Sequence, residues 1–199
     1  MTIAEKLTAI AENVPNVYDA GKKAEYDAFW DGFQDKGTRT QYPYAFYVWG
    51  ADYFKPKYPI IFGTNVSSQD TFSYSAITDV PVDIIFQEDF RFNSAFYWCT
   101  ALHTIKKIII NESNAIDYYT FDGCRSLVNI RFEGTIGDSI NFASCPLSKE
   151  SIESVFAALS STASGKTLTL NKTAKEKAFT DSEWAELIAT KSNWTFSLV

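Results

Sequence analysis

The sequence predicts a mixed α/β chain organised as a short solenoid, with stacked short strands in the middle, a helical segment before them and a strand–helix cap after them. Three observations carry this expectation. Between about Phe72 and Leu147 one pattern, Phe-x-x-Cys-x-x-Leu-x-x-Ile, recurs. All three cysteines of the chain fall on one position of that pattern. Apolar, β-branched runs succeed one another through the same region, while both flanks carry helical spacing. Self-similarity at a period of twenty-odd residues marks an architecture in which each unit buries its apolar face only against its neighbours.

The clearest copy is Phe121-Asp122-Gly123-Cys124, followed by Leu127 and Ile130. Its upstream neighbour is Phe96-Tyr97-Trp98-Cys99, followed by Leu102 and Ile105, with a spacing of 25 at every matched position. A decayed copy, Phe72-Ser73-Tyr74-Ser75, has serine in place of cysteine and a shortened step to Ile77. A last one, Phe142-Ala143-Ser144-Cys145, breaks off at Pro146-Leu147, so the first and last turns are expected to be irregular. Strands are expected at Ile60–Phe62, Val82–Phe86, Ile108–Ile110 and Ile130–Phe132, punctuated by Pro81 and Gly134.

Four segments follow. Residues 1–36 read as helical: Ile3, Leu7, Ile10 and Val14 form one stripe, Thr2 and Glu5 suit a capping box, and Pro15 restarts the helix. A second stretch carries Ala24, Phe29, Trp30 and Phe33. Either these helices fold onto the solenoid as a cap, or they make a homo-oligomer. Residues 37–58 form an aromatic-rich connector, and residues 59–147 hold the repeats. In residues 148–199, Ser148 caps a helix with Ile152, Val155, Phe156 and Leu159 on one side and Glu150 and Glu153 in its first turn. Gly165 closes a connection and Thr167–Leu170 alternates as a strand. The patterns Thr173…Glu176 and Thr180…Glu183 are capping boxes opening two helices, the second carrying Trp184, Leu187 and Ile188. Trp194–Leu198 closes the segment as a strand.

Bulk properties bound the function. The 199 residues are 46% hydrophobic and 21% charged, a globular balance. Lys plus Arg is 18 against 24 for Asp plus Glu, so the net charge is −6 and no nucleic-acid partner is expected. No apolar run reaches membrane-spanning length, and Met1-Thr2-Ile3 opens no signal peptide. The expectation is cytoplasmic synthesis without a signal and no membrane insertion. Three cysteines without a Cys-x-x-Cys, beside a single histidine, give no metal-site spacing. Cys99, Cys124 and Cys145 are expected to be reduced, buried and in a row. No phosphate loop, nucleophile elbow or zincin motif occurs, so no catalytic residue, cofactor or enzyme activity is assigned. His103 reads as a surface residue beside a strand, with Cys99 four residues before it at a core position.

Taken together, Ile116-x4-Phe121-x2-Cys124-x2-Leu127-x2-Ile130 resembles the repeat of the BspA-like leucine-rich repeat family, over about residues 60–148. The opening Met1–Asp27 and the close Pro146–Trp194 are similar to small repeat proteins encoded in gut-bacterial prophages. The resemblance implies a leucine-rich-repeat solenoid acting as a binding module of a virion or cell surface.

In that family's pattern the two residues between Phe and Cys face outward. Here they are Ser73-Tyr74, Tyr97-Trp98, Asp122-Gly123 and Ala143-Ser144. Tyr74, Tyr97, Trp98 and Tyr119, with Tyr118 beside the last, are expected to form an aromatic strip on successive turns. Such a strip suits a protein or glycan partner. Two functions stay open. One is a structural or recognition component of a phage particle or cell surface. The other is a soluble intracellular protein-interaction module, such as a phage-borne inhibitor of a host protein. Trp49 and Tyr53 are the next candidates should the strip belong to the core.

Overall fold

The computed structural model describes residues 56, 59–62, 70–87 and 90–199. The N-terminal stripe, its capping box, Trp49 and Tyr53 lie outside the described residues. Nine strands and three helices are described. The strands are β1 (Ile60–Phe62), β2 (Asp79–Phe86), β3 (Arg91–Phe92), β4 (Thr104–Ile110), β5 (Ala115–Ile116), β6 (Asn129–Gly134), β7 (Ile140–Phe142), β8 (Lys166–Leu170) and β9 (Trp194–Leu198). The helices are α1 (Lys149–Ala158), α2 (Lys172–Ala178) and α3 (Asp181–Ala189).

Every named strand pair is parallel. The largest sheet runs β1-β2-β4-β6, a second pairs β3 with β5, and a third runs β7-β8-β9. Strand alternation buries one row per strand. Ile84, Ile108 and Phe132 stand in register across β2, β4 and β6, as do Val80, Ile105 and Ile130. Between those rows both ladders slip, at Val80/Asp83 and at Ile105/Ile108. Pro81 therefore does not punctuate the strands as expected. It lies exposed inside β2, at the irregularity, where its missing N–H leaves no ladder bond unmade. Gly134 does end β6, at φ 96°.

The pattern positions line up behind the sheet. Phe72, Phe96, Phe121 and Phe142 are fully buried and stack in file, at centroid distances of 4.7, 5.8 and 4.9 Å with near-parallel rings. The leucine and isoleucine positions are buried beside them. β3 and β5, two residues each, were not legible as strands.

In the C-terminal segment Ser148 caps α1, accepting from Ser151 N, with Glu150 in the first turn. Glu153 lies one turn further in than expected. α2 starts earlier than its sequence pattern suggested, because Asn171 accepts from Ala174 N and takes the cap, leaving Thr173 inside the first turn. Thr180 and Glu183 do form the reciprocal capping box of α3. Trp184 packs edge-on to Phe156 at 5.5 Å, and Phe196 stacks on Phe156 at 5.1 Å.

Helix α1 occupies the place beside β6 where another strand would pair. Its serines do the work of that strand: Ile130 N donates to Ser151 Oγ (3.0 Å) and Phe132 N to Ser154 Oγ (2.9 Å). Ser151 Oγ donates on to Val128 O (2.9 Å). Among the described residues no helix is long and apolar enough to cross a membrane.

Candidate binding surface

Each Phe-x-x-Cys segment closes a tight turn. Ser75, Cys99, Cys124 and Cys145 donate their N–H groups to the carbonyls of Phe72, Phe96, Phe121 and Phe142. In three of these turns the residue before the last lies in the left-handed region: Tyr74 (φ 57°), Trp98 (φ 56°) and Gly123 (φ 78°). Glycine is the residue such a position favours. A bulky side chain there costs on the order of 1–2 kcal/mol. Adjacent turns are bonded to one another, Tyr74 N to Tyr97 O (2.9 Å) and Trp98 N to Asp122 O (2.8 Å), so these conformations are locked in series.

That backbone turns the two rings out of the core. Trp98 is 38% exposed and Tyr74 48%. Half-buried Tyr97 joins them: its ring meets Tyr74 edge-on at 5.6 Å (90°), Tyr119 at 6.2 Å (85°) and Trp98 at 6.3 Å (68°). Tyr118, 57% exposed, extends the row beyond Tyr119 at 5.5 Å. The four residues singled out from sequence thus lie in one contiguous strip. Arg125 was not anticipated. Its guanidinium stands 5.0 Å from the centroid of the Trp98 ring, within cation–π range. The signal was the 25-residue spacing, which makes Arg125 the counterpart of Thr100, itself two residues after Trp98.

Of the other gap positions expected to face outward, Ser73 and Gly123 are buried and Asp122, Ala143 and Ser144 are half-buried. Ser73 is buried and its hydroxyl donates to Ser94 O (2.6 Å) and Asp70 Oδ1 (3.0 Å), tying one turn to the next. Gly123 is buried beneath Trp98. Half-buried Asp122 accepts from Ser144 Oγ (3.0 Å). Asp117 braces the strip from behind, accepting from Ser94 N (2.9 Å), Ser94 Oγ (3.0 Å) and Thr120 Oγ1 (2.8 Å). Satisfied polar groups under the rings hold their backbone still.

The three thiols are free and buried. Each points one turn back and donates to a phenylalanine carbonyl: Cys99 to Phe72 O (2.9 Å), Cys124 to Phe96 O (3.0 Å) and Cys145 to Phe121 O (3.4 Å). Burial pushes the Cys99 thiol well above the ordinary value of 9.0. The Cys124 thiol is pushed up as well, first by the hydrogen bond shared with Cys145 and then by burial. Cys99 therefore makes no pair with His103, whose exposed ring contacts Thr104 Oγ1 at 3.1 Å. The outer face of the large sheet is charge-balanced: Lys106 and Lys107 flank Asp83 at 3.0 and 3.6 Å, and Lys107 also meets Glu133 at 2.7 Å. Among the described residues no three metal-ligating side chains converge.

Compared with protein-family models, with curated proteins and with solved structures, the chain finds no match.

Proposed function

We propose that this chain is a non-catalytic recognition module, a short leucine-rich-repeat solenoid of the BspA-like kind. In this reading it serves at a virion or cell surface and binds a protein partner through Tyr74, Tyr97, Trp98 and Tyr119. Strands paired in parallel in chain order, with files of phenylalanine and thiol behind them, support the solenoid reading. The surface role is what the resemblance of both ends of the sequence to prophage-encoded repeat proteins implies.

One observation carries the binding reading: Trp98 and Tyr74 hold positive φ at the position where the sister turn uses Gly123. A backbone strain kept for a ring that stands outside the apolar core is not explained by core packing, and strain of this kind collects at functional sites. Trp, Tyr and Arg together are the residue types that dominate protein–protein hot spots. A sugar ring needs a free, flat aromatic face. Here neighbouring rings stand nearly perpendicular and the Trp98 ring already carries Arg125, so a protein epitope fits better.

The test compares the full chain with Trp98→Gly, in capture from host lysate and on a glycan array. The expected result is a protein partner lost in the variant, no glycan signal, and a melting temperature that stays close to that of the parent. Loss of a glycan signal instead would transfer the strip to carbohydrate. A variant that melts far earlier would place Trp98 in the core and end the reading.

A further inference from the structure

We propose that β9 is a dimerisation edge, at which a second copy of this chain adds its own β9 antiparallel about a two-fold axis at Phe196. The first support is the direction of the backbone. Val199 donates its N–H to Leu170 O and accepts from Lys172 N, so it turns both groups toward β8. In a parallel ladder alternate residues turn the same way, which sends Thr195 and Ser197 toward β8 and leaves Trp194, Phe196 and Leu198 turned outward.

The second support is the lack of protection among the described residues. Natural edge strands are blunted by charge, proline, a bulge or a covering element. Trp194-Thr195-Phe196-Ser197-Leu198 has no charge and no proline, and its register with β8 is unbroken from Lys166↔Trp194 to Leu170↔Leu198. The edge of β6 shows the contrast, since there α1 covers the strand and Ser151 and Ser154 take its amides.

The occupant follows from the register. With the axis at Phe196, each outward residue faces another outward residue: Phe196 faces Phe196 of the second copy, and Leu198 faces Trp194. The Phe196 pair exchanges both of its hydrogen bonds. Leu198 N reaches the Trp194 carbonyl, which is the group Trp194 has left, because its own N–H already donates to Lys191 O (2.9 Å). On the opposite side of the strand, exposed Thr195 meets Ser197 of the other copy in a non-hydrogen-bonded pair, where side chains come closest. A neutral, self-complementary strand also avoids the repulsion that a net charge of −6 imposes elsewhere. An edge this short buries less than the roughly 1,200 Å² of a stable interface, so the dimer depends on concentration.

The experiment is sedimentation velocity on the full chain over two decades of concentration. The wild type is expected to shift from monomer to dimer. Thr195→Lys with Ser197→Lys sets two symmetry-related like-charge pairs across the axis and weakens the dimer by about tenfold or more. Thr195→Lys with Ser197→Glu sets two opposite-charge pairs in the same register and restores it. Should the lysine variant fail to fold, amide exchange on the wild type serves instead: the Phe196 and Leu198 amides gain protection as concentration rises. A wild type that stays monomeric, a dimer indifferent to both variants, or a glutamate variant as weak as the lysine one would overturn the proposal.

Discussion

Trp98 lies directly against Gly123, its counterpart in the next turn. A Cβ built on Gly123 would stand 3.0 Å from Trp98 Cα and 3.0 Å from two atoms of its ring. Both residues are left-handed, at φ 56° and 78°, so the glycine answers two demands at once. Gly123→Ala is expected to destabilise the protein by about 1–3 kcal/mol, from backbone strain together with the clash. In urea unfolding, Trp98→Gly combined with Gly123→Ala should lose less than the sum of the single changes, because the ring half of the clash is gone. Additive losses would mean that the indole does not press on the glycine.

The thiol file makes a pH prediction. Cys99 and Cys124 are held protonated in the folded state, above the ordinary value of 9.0, whereas in the unfolded chain they ionise near it. The unfolded state then binds fewer protons than the folded one, and stability falls as pH rises. The loss begins as pH passes about 9 and runs at about 1.4 kcal/mol per pH unit for each thiol. Cys124→Ala should flatten that slope while costing about 1–2 kcal/mol at neutral pH for the small cavity it leaves. Unfolding curves at neutral and alkaline pH check both. A native protein labelled quickly by a thiol reagent at neutral pH would contradict the burial on which this rests.

The start of α3 titrates in the opposite direction. Glu183 accepts from Lys149 Nζ (2.8 Å), Thr180 N (2.8 Å) and Thr180 Oγ1 (2.8 Å), which pulls its carboxyl from 4.5 down to about 2. With the folded value depressed, its contribution is present above pH 4.5 and is lost as pH falls toward 2. Glu183→Gln keeps an acceptor for Thr180 N and loses the ion pair. Its melting temperature should therefore depend less on pH across that window than the parent's. An unchanged acid profile would show that the box and the ion pair carry no coupled charge.

Much of this was legible in the residues. The Phe, Cys, Leu and Ile positions are buried as their recurrence implied, since a file of identical positions has nowhere else to go. The exposed rings of the strip were legible for the same reason, lying between core positions. What the pattern did not carry was the sign of φ. Treating the two gap positions alike missed that in three of the four turns the second is left-handed, and so missed that Ser73 turns inward while Tyr74 turns out. Helix starts were legible where one cap stood alone, as at Thr180. They were misplaced where two cap-forming residues competed, as with Asn171 and Thr173. The strands β3 and β5 have no alternation to read, because two residues cannot show a period.

The seal between β6 and α1 gives a last prediction. In a parallel sheet the strand beyond β6 would accept its outward amides, but here those amides end on serine hydroxyls. Ser151 is 3% exposed and bonds both Ile130 N (3.0 Å) and Val128 O (2.9 Å); the carbonyl also accepts from Ser148 N (2.9 Å), so the group that depends on Ser151 is the Ile130 amide. Ser154 makes the same bridge at Phe132, with a 2.9 Å bond to the N–H and a longer 3.4 Å bond to the carbonyl, and is only half-buried. Removing a buried partner leaves the other group desolvated and unpaired, at about 1–3 kcal/mol. Ser151→Ala should therefore fall in that range. Ser154→Ala should cost less, because water can reach the site and replace the hydroxyl. Amide exchange separates this from a simple packing loss: Ile130 N–H should exchange faster in Ser151→Ala while Ile105 N–H, inside the sheet, does not change. Equal costs for the two serines, or an Ile130 amide as slow as before, would mean that α1 covers β6 through apolar contact alone.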